Sequence, residues 1–503
     1  MKSNSRSKKA FINIVFSVLS ELIKLACGLI LPRLILSNYG SEYNGIVQSV
    51  SQFLSCIALM KMGIGDVTRA ALFKPLANKD PKEISEVLYS TEKFMRRIAL
   101  IFVVFTLVFA CSYPAIVKNN FGWFFSFSLI IIISIATFAE YYFGFTYQML
   151  LSADQRDFVL SSLSMFTIVA NAIVSVILIN NNCSIHVVKL GSSLVNLVTP
   201  LFLYIYCHKK YKLVKVEYNK NKLPQRWAAL SHELASFVND NTNIMILSIL
   251  TNLLEVSVFT VYQYVIRNLK TVATSLTTSF GSAFGDMYAK KEDKLMIENI
   301  RIYELITYTL SSIIYSSTFV LIVPFILVYT KGIYDADYSR VGFAIVFTLA
   351  GMFDSFRYPY KSIIKCTGHF KETKNIAILE AVINIVVSII CTWRFGMIGV
   401  AIGSFLTMLF GSLQYSYFLN KNIIKRDYKE IYLHMSLTLL TAFLVRFISS
   451  LYMGEINNYL VWFEYAIITG IISLVITLVV DVIFYREDSI KLLNKFKTVV
   501  LKR

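Results

Sequence analysis

Residues Val258–Asp286 read VFTVYQYVIRNLKTVATSLTTSFGSAFGD. The stretch is long and apolar enough to cross a bilayer, yet Arg267 and Lys270 stand near its middle. Its polar residues recur as Thr260, Gln263/Tyr264, Arg267, Lys270/Thr271, Thr274 and Thr277/Thr278. That is helical spacing, so they form one wet stripe, while Val261, Val265, Leu269, Val272, Leu276 and Phe280 lie mostly off it. A cation near the bilayer centre is expensive unless it faces protein or water, and its default reading is functional. The helix is therefore expected to wall an aqueous cavity that accepts an anionic substrate.

The rest of the chain agrees with a membrane setting. Of 503 residues, 56% are hydrophobic and only 16% charged, with mean hydropathy +0.60. A soluble protein of this length would not carry that balance, so the chain reads as all-α and polytopic. Net charge is +18, but the bases cluster between apolar runs, which points to membrane topology and away from nucleic acid. MKSNSRSKK at the N-terminus is followed by an apolar run to about Leu36, too long for a signal-peptide core, so an uncleaved first span is expected. The seven cysteines are scattered without a CxxC pair, and no His/Cys/carboxylate set has metal-ligand spacing. Neither a disulfide framework, a metal nor a cofactor is expected.

Hydropathy predicts fourteen spans, near 10–36, 44–65, 91–112, 122–150, 158–180, 187–207, 229–252, 256–283, 302–329, 340–364, 374–393, 397–419, 430–452 and 460–484. The segments on the N-terminal side of the membrane hold 38 of the 49 Lys/Arg, and the opposite loops hold 6. This bias predicts that both termini are cytoplasmic. Asn171-Ala-Ile-Val-Ser175 recurs as Asn384-Ile-Val-Val-Ser388 at an offset of 213 residues, and Asp80/Ile84 recur as Asp293/Ile297 at the same offset. Six spans separate the copies, so the repeat is parallel. It predicts two six-helix lobes around a central cavity, with binding at their interface and two extra C-terminal helices outside the repeat. The expected divisions are an N-terminal lobe at 1–207, a basic cytoplasmic linker at 208–228, a C-terminal lobe at 229–420, and the two extra helices with a basic tail at 421–503.

Several other spans carry polar faces. Span 1 has Asn13, Glu21 and Lys24; span 2 has Asn44, Gln48 and Gln52; span 4 has Glu140 and Gln148. Span 7 has His232, Asn239, Asp240 and Asn243; span 10 has Asp354, Arg357 and Lys361. For Ser, Thr and Asn the plainer reading is interhelical hydrogen bonding. Arg267 and Lys270 are like charges one turn apart and do not read as a private pair. Glu21/Lys24 and Asp354/Arg357 are opposite charges at i, i+3 that could neutralise each other. Asp240 is either a counter-ion for Arg267 or a site where a proton or sodium ion couples to transport. The deep cations Lys24, Arg33, Arg267, Lys270 and Arg357 are offset by Glu21, Glu140, Asp240, Asp354 and Glu380, so only the span-8 pair is locally cationic. Pro32, Pro200, Pro324 and Pro359 lie within apolar spans and could kink them.

LILPRLILSNYGSEYNGIVQSVSQFLSC, GIGDVTRAALFKPLANKD, NDNTNIMILSILTNLLEVSVFTVYQYV, FGDMYAKKED and YTKGIYDADY resemble the polysaccharide-biosynthesis flippases of the Wzx type. That group belongs to the superfamily that also holds the MATE drug exporters and the lipid II flippases. The resemblance implies two six-helix lobes around a central cavity, plus two helices in fourteen-span members. It also implies translocation of an undecaprenyl-pyrophosphate-linked oligosaccharide across the cytoplasmic membrane by alternating access. Membrane lipid and polysaccharide polymerase machinery would be the partners, and a proton or sodium ion the coupling candidate. Cavity arginines on spans 1, 2 and 8 carry the substrate in that group. Arg267 suits the span-8 role and Lys24 or Arg33 the span-1 role, whereas span 2 has no buried cation here. Two other classes compete. A cation-coupled multidrug antiporter of the same superfamily would favour acidic, aromatic cavities and twelve spans. A membrane glycosyltransferase or polymerase would need acidic residues on a large external loop, and only Asp335 and Asp337 in GIYDADY stand out.

Overall fold

The computed structural model describes residues 2–57, 64–117, 120–211, 213–214, 216, 230–275, 280–424, 426 and 429–501; within helices, the side chains of 2–11, 14, 66, 230–236, 239–240, 275, 280–283, 370, 429–430 and 495–501 lie outside the description. The described residues form helices joined by short turns and loops. In order the helices are α1 (Lys2–Tyr39), α2 (Ser41–Ser55), α3 (Ile64–Asn78), α4 (Pro81–Ile116), α5 (Trp123–Ala139), α6 (Phe145–Ala153), α7 (Asp157–Asn180), α8 (Ile185–Asn196), α9 (Val198–Tyr211) and α10 (Leu230–Leu250). There follow α11 (Leu253–Ser275), α12 (Phe280–Ala289), α13 (Asp293–Tyr329), α14 (Val341–Cys366), α15 (Phe370–Phe395), α16 (Met397–Leu419), α17 (Lys429–Tyr452), α18 (Tyr459–Phe484) and α19 (Arg486–Leu501). Two wide π-turns, Glu140–Gly144 and Asn420–Ile424, continue α5 into α6 and extend α16.

Among the described residues, eleven helical segments are long and apolar enough to cross a membrane. The other three of the fourteen expected spans fall on α2, α10 and α11. These are polar-faced helices: α2 is only 15 residues long, α10 has a described apolar part limited to Asn241–Leu250, and α11 carries Glu255, Arg267 and Lys270. The helices themselves are present: α2 is too short to be counted as a span by length, and α10 is described as an apolar helix only over Asn241–Leu250. The outer faces of other helices are bare hydrocarbon. Leu100, Val104 and Val108 on α4 are 60%, 62% and 64% exposed at four-residue spacing, a stripe that lipid tails cover and water would not. Small hydroxyl residues go inward instead: Ser49, Thr91, Ser311, Ser316, Thr407 and Ser412 are fully buried, as close helix packing in lipid favours.

The chain divides into two compact units. The first comprises residues 1–237 with 252–257. Asp80 caps α4, accepting from the amides of Lys82 (2.9 Å) and Glu83 (3.2 Å) with Pro81 at the first helical position. Leu88, Tyr147, Leu150, Leu203 and Cys207 bury one core. The Tyr147 hydroxyl donates to the Glu92 carboxylate there. The Asn13 amide ties α1 to the start of α7, donating to the Gln155 carbonyl (3.2 Å) and accepting from the Phe158 amide (2.9 Å). Asn44 on α2 donates to the Ser257 hydroxyl (2.9 Å). Pro200 stands three residues into α9, just past the break after α8, while Pro32, Pro324 and Pro359 sit inside continuous helices.

The second unit comprises residues 238–251 with 258–503. Its main core joins Tyr303, Tyr308 and Tyr315 of α13 to Phe353, Phe356 and Tyr360 of α14 and Tyr415 of α16. α17 and α18 pack on α13. Thr309 donates to Asp481 (2.6 Å), Ser312 and Thr477 share a hydrogen bond (3.0 Å), and Arg446 donates to the Phe319 carbonyl (2.8 Å). The two last long helices are thus fastened by polar contacts, which have no water to compete with them in lipid.

Candidate functional site

A cavity of about 240 Å³ opens within the second unit among α10, α11, α14 and α16. Gln263, Arg267 and Lys270 of α11 line it, facing Asp354 of α14, with Asn243 and Ser404 on the remaining walls. The wet stripe of α11 is what the cavity exposes. Arg267 is exposed and Lys270 half-buried, one helical turn apart, whereas Val261 and Ile266 turn into the core. Thr277 and Thr278 of the same stripe lie outside the described residues. The Asn243 amide donates to the Ser404 hydroxyl (2.9 Å), pinning α10 to α16. Behind α10, Thr242 donates to Asn384 (2.9 Å), the first residue of the recurring Asn…Ser motif.

Charge in the cavity is organised as a chain. Lys270 pairs with Oδ2 of Asp354. Oδ1 of Asp354 accepts from Arg357 Nη2 (2.5 Å), and Arg357 Nη1 donates to Glu380 Oε1 (2.7 Å). Tyr415 donates to the other Glu380 oxygen at 3.4 Å. Exposure falls steeply along this chain: 30% for the Lys270 side chain, 10% for Asp354, 7% for Arg357 and 0% for Glu380. The four signs alternate and cancel. Gly411 makes room for the buried end, since a Cβ there would lie 1.9 Å from Glu380 Oε1 and 2.8 Å from Arg357 Cδ. Arg267 is different. Among the described residues no carboxylate pairs with its guanidinium, so among them Arg267 adds a positive charge beside Lys270 that no ion pair offsets.

The other candidate residues are placed as follows. Arg357 stands behind Asp354, buried between two carboxylates. Glu21 and Lys24 pair with each other on α1 at 2.8 Å, both about half exposed. Arg33 is half-buried one residue beyond Pro32, and Glu140 opens the first π-turn, also half-buried. These four belong to the first unit. The side chains of His232, Asn239 and Asp240 lie outside the description. Glu380, read from the sequence only as a deep charge, is the terminus of the network. Its partner is 23 residues away on another helix, a separation that leaves no signal in spacing. The stretch that begins at Val258 ends with Asp286 accepting from Lys290 (2.6 Å), and this bond holds the Lys290 ammonium above its ordinary pKa.

A larger cavity, about 350 Å³, lies among α13, α17, α18 and α19. Its deepest cation, Arg426, gives Nη2 to both Glu304 oxygens at 2.8 Å, so that cavity's deepest charge is already committed. The α11 cavity is the better candidate for an anion.

No family model and no curated protein matches the sequence. Solved structures do. The lipid II flippase MurJ in an inward closed conformation is 16% identical, covering 94% of this chain and 99% of its own with a TM-score of 0.70. An inward-facing multidrug resistance MATE transporter of the MOP superfamily is 15% identical, covering 82% and 99%, TM-score 0.56. The Vibrio cholerae MATE transporter VcmN in its bent form is 15% identical, covering 83% and 98%, TM-score 0.53. The chain has the fold of these MOP-superfamily transporters and is a multi-pass helical membrane protein; the structures it resembles are transporters and not enzymes.

Proposed function

We propose that the chain is a flippase that moves an undecaprenyl-pyrophosphate-linked oligosaccharide from the cytoplasmic to the outer leaflet for cell-surface polysaccharide synthesis. The observation that carries this reading is Arg267, exposed in a cavity beside Lys270 with no described carboxylate to neutralise it. A guanidinium is well suited to grip a phosphate in a two-pronged contact, and an ammonium one turn away adds a point charge for the second phosphoryl group. The sharing of this fold with a lipid II flippase supports a lipid-linked cargo.

In this mechanism the head group enters from the cytoplasm, where both termini lie, and its phosphates settle on Arg267 and Lys270. The lipid tail stays in the bilayer. Alternating access then releases the head group outside, with Lys24 or Arg33 as further substrate-binding candidates. Asp240 serves as a counter-ion or as the site where a proton or sodium ion couples to the cycle.

The test is the pool of lipid-linked oligosaccharide in cells lacking the gene, complemented with wild type or Arg267→Ala. A completed unit should accumulate on the cytoplasmic face and should not be cleared by a normally expressed Arg267→Ala. A normal pool with heightened sensitivity to cationic drugs would replace this reading with the antiporter, and unpolymerised units already outside would replace it with the glycosyltransferase or polymerase class.

A further inference from the structure

We infer that Asp354 is a built-in competitor for the cavity's cations, so that cargo binds by displacing a carboxylate from Lys270, and that this exchange selects multiply charged phosphates over single-charge anions. The inference rests on the reading above that the cavity takes an anion.

The geometry is that of a group made to be handed over. Asp354 is held from two sides, one oxygen by Lys270 and the other by Arg357. If Lys270 turns to a phosphate, Asp354 keeps Arg357, and Arg357 keeps Glu380 as well. Each buried charge keeps a partner, so no ion is left wholly unpaired, and the excess of one negative charge sits on Asp354, the more exposed of the two carboxylates. The exchange also has a fixed end point. Glu380 is fully buried and walled by Gly411, so displacement stops at Asp354. Lys270 is the only member of the chain with substantial exposure, which makes it the place where an incoming ligand meets the network.

Selectivity follows from what the competitor is. A carboxylate or other monoanion offers Lys270 no more charge than Asp354 already supplies, so it gains little by replacing it. A pyrophosphate can reach Arg267 and Lys270 together, since residues three apart on a helix lie about 5–6 Å apart. It brings a second charge to a guanidinium that Asp354 does not satisfy. Asp354 thereby acts as a specificity-determining residue: it raises the threshold for every anion and lets the two-phosphate group clear it.

The experiment measures calorimetric binding of inorganic pyrophosphate, inorganic phosphate and acetate to the purified full-length protein at fixed ionic strength. Wild type, Asp354→Asn, Lys270→Met and Arg267→Gln are compared. Asp354→Asn should bind pyrophosphate about tenfold more tightly (~1.4 kcal/mol) and should acquire measurable acetate binding, narrowing the pyrophosphate-to-acetate ratio. Lys270→Met and Arg267→Gln should weaken pyrophosphate. Weaker or unchanged pyrophosphate binding in Asp354→Asn, with Lys270→Met and Arg267→Gln still weakened, overturns the competitor role and leaves the anion cavity standing. Unchanged binding in both Lys270→Met and Arg267→Gln removes the anion cavity itself. Should Asp354→Asn fail to fold, wild type carrying 13C-carboxyl aspartate decides the matter. Pyrophosphate should shift an aspartate carboxylate band in the infrared difference spectrum, and the absence of any shift overturns the inference.

Discussion

Replacing Arg357 by Met tests the buried charge chain most directly. The substitution keeps the side chain's approximate length and removes its charge. Glu380, with 0% exposure, then loses its only ion pair among the described residues and is left with a Tyr415 hydroxyl at 3.4 Å. Asp354 fares better because Lys270 remains. Breaking one side of a buried pair leaves an uncompensated charge and costs about 3–5 kcal/mol. At roughly 2–4 °C per kcal/mol for domains of a couple of hundred residues, the loss is roughly 6–20 °C in apparent melting temperature. The assay is thermal unfolding of the full-length protein in detergent at one scan rate, because such transitions are often irreversible. The decisive control is Arg357→Met with Glu380→Leu, which removes both charges. Replacing a whole buried pair by apolar groups is often neutral, so the double variant should recover most of the loss, giving a coupling of about 3 kcal/mol. A single variant that melts within 2 °C of wild type would refute the claim that Glu380 depends on Arg357 (that limit corresponds to about 1 kcal/mol or less). A double variant as unstable as the single one would assign the loss to packing of the arginine stem. The same pair of proteins also locates Arg357 in transport. A stable double variant that no longer clears lipid-linked oligosaccharide gives Arg357 a role in binding; a stable, active one makes it structural.

Two further substitutions probe neighbouring features. Gly411→Ala places a methyl group 1.9 Å from Glu380 Oε1, and the forced shift should cost at least ~2 kcal/mol, read as a lower melting temperature and relieved in part by Glu380→Leu. Tyr147→Phe removes the hydroxyl that donates to Glu92, leaving that carboxylate, 16% exposed, with Arg96 at 3.5 Å; a loss of about 1.5–3 kcal/mol is expected from hydrogen bonding to a charged group, with Glu92→Gln milder because it can still accept.

What was legible in the sequence follows from which interactions are local. Apolar runs such as 100–116 and 459–484 declare spans because lipid contact selects every residue on an outer face. α2, α10 and α11 were legible as polar-faced spans from their Asn, Gln, Arg and Lys spacing. The Asp354/Arg357 pair was open to reading because three residues bring two side chains together on one helix. Two other contacts were not. Lys270 and Asp354 are 84 residues apart on α11 and α14, and Arg357 meets Glu380 on α15. Each charge could be named beforehand, and its partner could not, because helix packing alone chooses between the carboxylates available. Gly411 had no signal of its own; its role exists only once Glu380 and Arg357 are placed against it.

The π-turn at Glu140–Gly144 has a different kind of consequence, one of counting. An α-helix advances 100° per residue, so losing one residue anywhere in α5 or α6 would swing everything beyond it by about a quarter turn. Tyr147 and Leu150, both buried, would leave their core. Within 140–144 the backbone already absorbs one residue more than an α-helix needs, while the helices on either side keep their faces. A single deletion there would tighten the wide turn into an ordinary one and leave both flanks in phase. These five residues are therefore where this span can change length without changing what it points at, and length variants of the chain should find their gap there.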